Sequence, residues 1–229
     1  QYWRSMAAGL QQQGDLEAAV DYLILLASQV DRDAFGSDDS DSVMVAIEDT
    51  LRVDRDRWMR VLFEQILETA SEEVRKGIDA KVQVHLDDVL TSQSLSRLSQ
   101  FVEHFGSHKT HIAARAELVD LLLKRGEPLL AERHLLQLQR ADDPSTAACA
   151  TTRLASLFIE FAKYEEAVTC IDQLADRWGD VMVSSLQEGW LEQSLEGISG
   201  AEVAAELRQH PAMRPWLETD RSWYDGKCE

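Results

Sequence analysis

The stretch Leu118-Val119-x-x-Leu122-x-x-x-Gly126-x-x-x-x-Ala131-x-x-x-Leu135-x-x-Leu138 returns in register as Leu154-Ala155-x-x-Phe158-x-x-x-Ala162-x-x-x-x-Ala167-x-x-x-Ile171-x-x-Leu174, 36 residues later. Apolar residues at spacings of three and four, on both sides of a break, describe two amphipathic helices and a turn. A fixed period of this length with two helices per unit is the pattern of an α-solenoid. The class is therefore all-α, an α-α superhelix of about twelve helices in antiparallel pairs.

A third copy lies near the start of the chain. Trp3, Ala7, Leu10, Gly14, Ala19, Leu23 and Leu26 follow the same spacing, so the clearest repeats occupy 2–30, 109–141 and 145–179. Gly14 and Gly126 are 112 residues apart, close to three periods. Two degenerate or longer hairpins would fill the interval.

The small residues are needed where helices cross. Ala131 and Ala167 stand where the second helix of a pair crosses the first, and Ala155 faces Ala167 within its own pair. Gly126 ends a helix in the left-handed conformation that glycine enters without a Cβ penalty. Ala162 replaces glycine in the last copy. Leu122, Leu135, Leu138, Phe158, Ile171 and Leu174 fill the space between hairpins, and stacking buries the face that one hairpin leaves wet.

Between the repeats, capping residues mark further helices. Asp41 or Ser42 begins one through Val43, Ile47 and Leu51. Asp54 or Asp56 begins the next, with Trp58, Leu62 and Ile66 apolar. Ser71 begins one through Leu90, and Ser92 or Ser94 one that ends at Gly106. Beyond Gly179 the pattern predicts helices over Val181–Leu195 and Ala201–Gln209. Residues 1–217 form the helical-repeat domain, and 218–229 a linker or the start of a following domain. The opening on Gln1 and Tyr2, without Met, leads to the expectation that the chain is a piece of a longer polypeptide.

The formal net charge is −18 in 229 residues. Phosphate backbones repel such a surface, which excludes nucleic acid as the expected partner. No apolar run approaches the ~20 residues that span a bilayer, so direct membrane insertion is not expected. Cys149, Cys170 and Cys228 make no CxxC and no even framework. Cys149 and Cys170 fall on the two helices of one hairpin and read as buried free thiols, with a disulfide between them as the lesser alternative.

Several clusters could carry chemistry. His104, His108 and His111 could offer imidazoles to zinc, although Gly106 interrupts the segment. Glu64, Glu68 and Glu72, and again Glu188, Glu192 and Glu196, repeat every four residues as acidic ladders; a solvated helix face is the simpler reading. Asp31 to Asp41 mimics half a calcium loop, but Phe35 and Ser42 stand where oxygen ligands are required. Neither G-x-S-x-G nor a phosphate-cradling glycine loop occurs. Catalytic, cofactor and metal residues are therefore expected to be none, and the chain to be no enzyme. A helical metal-binding or enzymatic domain using the histidines or the acidic faces is the alternative.

The repeats resemble the tetratricopeptide repeat family over about 2–30, 115–141 and 151–178. Trp3 occupies the family's usual aromatic place, which is Arg115 and Thr151 in the other copies, and Val119 replaces its usual small residue. The resemblance implies a right-handed superhelix, a concave groove for a protein or peptide, and no catalysis. The groove-facing positions it implies are Ala116, Asp120 and Leu123, then Thr152, Ser156 and Ile159. Phe101-Val102-x-x-Phe105-Gly106-x-His108 and Trp223-Tyr224-x-Gly226-Lys227, flanking the two hairpins, resemble helical segments joined to PQQ-like β-propeller repeats in large bacterial proteins. That resemblance implies a scaffold in an envelope-associated protein, whose partners include neighbouring domains of the same polypeptide.

Overall fold

The computed structural model describes residues 2–33, 44–46, 52–186 and 190–217. Its helices are α1 (Tyr2–Gln13), α2 (Leu16–Asp33), α3 (Arg55–Thr69), α4 (Glu72–Ser92), α5 (Leu95–His104), α6 (His111–Lys124), α7 (Pro128–Leu138), α8 (Pro144–Glu160), α9 (Tyr164–Arg177), α10 (Gly200–Arg208) and α11 (Arg214–Leu217). Strands β1 (Met44–Ala46) and β2 (Arg52–Asp54) pair antiparallel between α2 and α3. Among the described residues the regular structure is helical apart from this small hairpin and the irregular segment after α9. It divides inside α6 into two compact units, Gln1–Leu118 and Val119–Glu229.

The three sequence copies share one backbone turn. Gly14, Gly126 and Ala162 all have positive φ, at 83°, 74° and 56°. The hydrogen bonds coincide as well. Gly14, Gly126 and Ala162 donate N–H to the carbonyls of Gln11, Leu123 and Ile159, three residues back. The following residues, Asp15, Glu127 and Lys163, donate to Leu10, Leu122 and Phe158, five residues back. These bonds satisfy carbonyls that a helix end otherwise leaves open.

Helix starts follow the capping chemistry. Asp54 accepts from the Asp56 and Arg57 amides, Ser71 from Val74, Ser94 from Arg97, and Asp143 from Thr146. Ser199 and Glu202 form a reciprocal capping box at α10. Pro128 and Pro144 stand in first turns, where a missing N–H costs nothing.

In the first unit α2 packs on α1, α3, α4 and α5, and α3 packs chiefly on α5. Phe63, Phe101 and Phe105 form its aromatic centre, with Phe63 and Phe101 each about 5 Å from Phe105 (5.0 and 5.1 Å between centroids). In the second unit α8 packs on α7, α9 and α10, and α9 on α10. Twelve of the 17 residues of α8 are buried, as expected of a helix apolar all round. Ala131, Ala155 and Ala167 are fully buried, as are Leu135, Ile171 and Leu174. Each such large side chain contributes about 1.5–3 kcal/mol. Gly200 starts α10 against the carbonyl of Trp178, too close for any Cβ.

Three expectations need correction. The helix expected from 42 to 51 is instead strand at Met44–Ala46, with Val45 opposite Val53; β-branched residues favour this pairing. The helix expected over Val181–Leu195 is irregular in its described part. Its backbone bonds go elsewhere: Val183 N–H to Ile198 (2.9 Å), Gly197 to Val183 (2.7 Å) and Gly200 to Val181 (2.9 Å), leaving a 3-10 turn at Gln193–Leu195. Finally, α2 continues to Asp33, into the segment expected to be an acidic loop. The rest of that loop, and Trp223, Tyr224, Gly226 and Lys227, lie outside the described residues.

Candidate functional site

Of the six positions expected to face a groove, Ala116, Thr152 and Ile159 are buried, while Asp120, Leu123 and Ser156 are half-buried. Thr152 turns its hydroxyl back to the Ala148 carbonyl (3.0 Å), and Ser156 to that of Thr152 (3.2 Å). Arg153 reaches across to Asp120 at 3.7 Å. Asp120, Leu123 and Ser156 are thus the three of these that keep exposed surface. A polar seam lies nearby. The Gln139 amide donates to Thr151 (3.1 Å) and to Gln173 (3.0 Å), tying α7, α8 and α9.

The histidine cluster does not converge. His104 Nε2 lies 3.0 Å from Asp56 Oδ1, and this hydrogen bond is the main reason the Asp56 carboxyl sits below its ordinary range. His111 Nδ1 meets the His108 carbonyl at 2.7 Å. His108 is buried and doubly engaged: Nδ1 with the Thr110 hydroxyl (2.8 Å) and amide (3.3 Å), Nε2 with Asp79 Oδ1 (2.7 Å). An amide only donates, so Nδ1 is the acceptor and Nε2–H points at Asp79. Partial burial opposes the charge of Asp79, but hydrogen bonds from Lys109 and His108 outweigh it and hold the carboxyl low. With both nitrogens occupied, His108 has no lone pair for a metal or a hydroxyl nucleophile. Among the described residues no three His, Cys, Asp or Glu side chains could share an ion.

An open cleft of about 510 Å³ lies beside this dyad, lined by Glu64, Glu68, Arg75, Asp79, Ser107 and Lys109, with Leu67 as an apolar wall. The acidic ladder that runs into it is interrupted. Ala70 is extended (ψ 131°) and ends α3, so Glu72 belongs to α4 and pairs with Lys76 at 3.5 Å. Glu188 lies outside the described residues. Glu192 and Glu196 flank a 3-10 turn, not a helix face.

Cys149 and Cys170 are free and buried, and desolvation pushes both thiols up to about 12. The disulfide alternative is not formed. Trp178 and Trp190 are core residues. The partners Asp56, Asp79 and Thr110 were not singled out as such from sequence. Asp56 reads there as a cap, and the two carboxylates lie 48 and 29 residues from their histidines. Among the described residues no helix is long and apolar enough to cross a membrane. No protein-family model, curated protein or solved structure matches the chain.

Proposed function

We propose that this chain is a non-enzymatic helical-repeat scaffold of tetratricopeptide type, mediating contacts between proteins or between domains of a larger polypeptide. The observation that carries the reading is the shared turn at Gly14, Gly126 and Ala162, with the same two hydrogen bonds each time. A turn repeated in both sequence and geometry belongs to an array, and arrays supply extended binding surfaces by stacking. The histidines serve cohesion: His104 Nε2 goes to Asp56, both His108 nitrogens to Asp79 and Thr110, and His111 Nδ1 to the His108 carbonyl. The half-buried Asp120, Leu123 and Ser156 are the contact residues of the second unit. The acidic surface favours a basic protein partner over nucleic acid.

Affinity capture with the whole chain tests this, run beside a variant carrying Leu123→Lys and Ser156→Lys. A stoichiometric protein partner held by the first and lost by the second is the expected result. Equal capture by both would contradict the assignment. Tight zinc, iron or manganese in chelator-treated protein, lost in His104→Ala or His108→Ala, would overturn the scaffold reading itself.

A further inference from the structure

The histidines are unevenly shared between the two units. His85, His104, His108 and His111 belong to Gln1–Leu118, and the first three are buried there. Val119–Glu229 holds His134, which is half-buried, and His210, which is exposed. His104 and His108 each meet a carboxylate, Asp56 and Asp79. His85 differs from both. No hydrogen bond holds its ring among the described residues, and the ring lies 5.6 Å from those of Phe101 and Phe105.

His85 of α4 lines a cavity where α2, α4 and α5 meet, together with Ala27, Ser28, Arg97 and Gln100. The cavity measures about 10 Å³, room for about one water. A neutral imidazole is tolerated in such a place. An imidazolium is not, because one water cannot replace its hydration shell. The groups that face it supply no free counter-charge. They are Arg97 and His104 from α5, Asp88 from α4, and Ala27 and Ser28 from α2. Asp88 is already taken by Arg97, at 2.5 Å.

We propose that Gln1–Leu118 carries an acid-operated release: a proton on His85 is accommodated only when α5 parts from α2 and α4 and water enters their junction, while Val119–Glu229 stays packed. The sign sets the window. Burial holds the His85 ring at about 4, against 6.5 for a ring in water, so the open form takes up the proton first. Opening is promoted as pH falls below about 6.5, and the promotion is complete near 4. His111, also lowered by burial, acts in the same direction. Asp56 and Asp79 sit below the ordinary carboxylate range, so both stay ionised at pH 5 and are no part of the release. The release operates whether or not the chain binds a partner.

The test is hydrogen exchange of the full chain, read by mass spectrometry at pH 7 and pH 5 and corrected for the chemical exchange rate. A ring that passes from about 4 to 6.5 on opening multiplies the open fraction roughly 25-fold between those two pH values. Protection in α2, α4 and α5 should fall by about that factor, and in α8 and α9 by under about threefold. His85→Leu should remove most of the fall in the first unit. No fall in α2, α4 and α5, an equal fall in α8 and α9, or an undiminished fall in folded His85→Leu protein would overturn the proposal. Should that variant not fold, an NMR titration of the selectively labelled His85 ring in the unaltered chain decides. A midpoint well below 6.5 is the expected result, and a midpoint at 6.5 would overturn the proposal.

Discussion

Ala162 holds the left-handed turn that Gly126 holds one repeat earlier, with φ of 56° against 74° and matching hydrogen bonds to the helix behind it. A Cβ is tolerated there only against a conformational penalty of about 1–2 kcal/mol. The two positions therefore respond in opposite directions. Ala162→Gly should raise unfolding free energy by roughly 0.5–1 kcal/mol, and Gly126→Ala should lower it by about 1 kcal/mol. No atom crowds a Cβ at Gly126, so its loss is purely conformational. Urea melts of the two variants check this. The same sign for both would remove the claim that the turns are equivalent.

His85 gives the first unit a pH dependence with a defined window. The ring is buried beside Phe101 and Phe105, and desolvation, with a smaller push from Arg97, lowers its pKa to about 4 from 6.5. The unfolded chain thus takes up this proton before the folded one does. The contribution of His85 is complete above about pH 6.5 and declines as pH falls toward 4. By pH 4.5 the loss amounts to roughly 2–3 kcal/mol. His85→Leu should flatten that part of the stability–pH curve, leaving the steeper loss at lower pH where Asp56 and Asp79 protonate. Parallel curves for the two proteins between pH 7 and 4.5 would refute the assignment.

The thiols provide a test of the second unit. Cys149 and Cys170 are buried and raised to about 12, so little thiolate forms and no reagent reaches them. In a Cys228→Ser background, a disulfide-exchange reagent at pH 8 should label neither thiol in native protein and both in 6 M guanidinium. Rapid labelling of native protein would place α8 and α9 in a looser packing than described.

The second hairpin pair was legible in the sequence because its signals are local. Spacing of three and four, a cap such as Asp143 and a glycine stop each act within one turn of backbone. The same locality explains the errors. Residues 42–51 carry a cap and apolar spacing, yet Val45 finds its partner in Val53, and pairing between segments leaves no periodic trace. Val181–Leu195 reads as helical, but its backbone bonds go to Ile198 and its neighbours. The carboxylates that His104 and His108 meet, on α3 and α4, are brought in by tertiary packing and leave no local signal. Thr152 and Ile159 fit the groove spacing, but the density of neighbours around α8 buries them, and period alone does not report that.

The most direct test of stacked helix pairs concerns Ala167, which is fully buried where α9 packs on α8. Ala167→Leu is compared with Glu165→Leu on the exposed side of the same helix by guanidinium unfolding. Helix crossings closed around an alanine predict a loss of about 1–3 kcal/mol for the first and under about 0.5 kcal/mol for the second. Equal, small effects would mean that Ala167 faces open space, and hairpin packing through small residues would be contradicted.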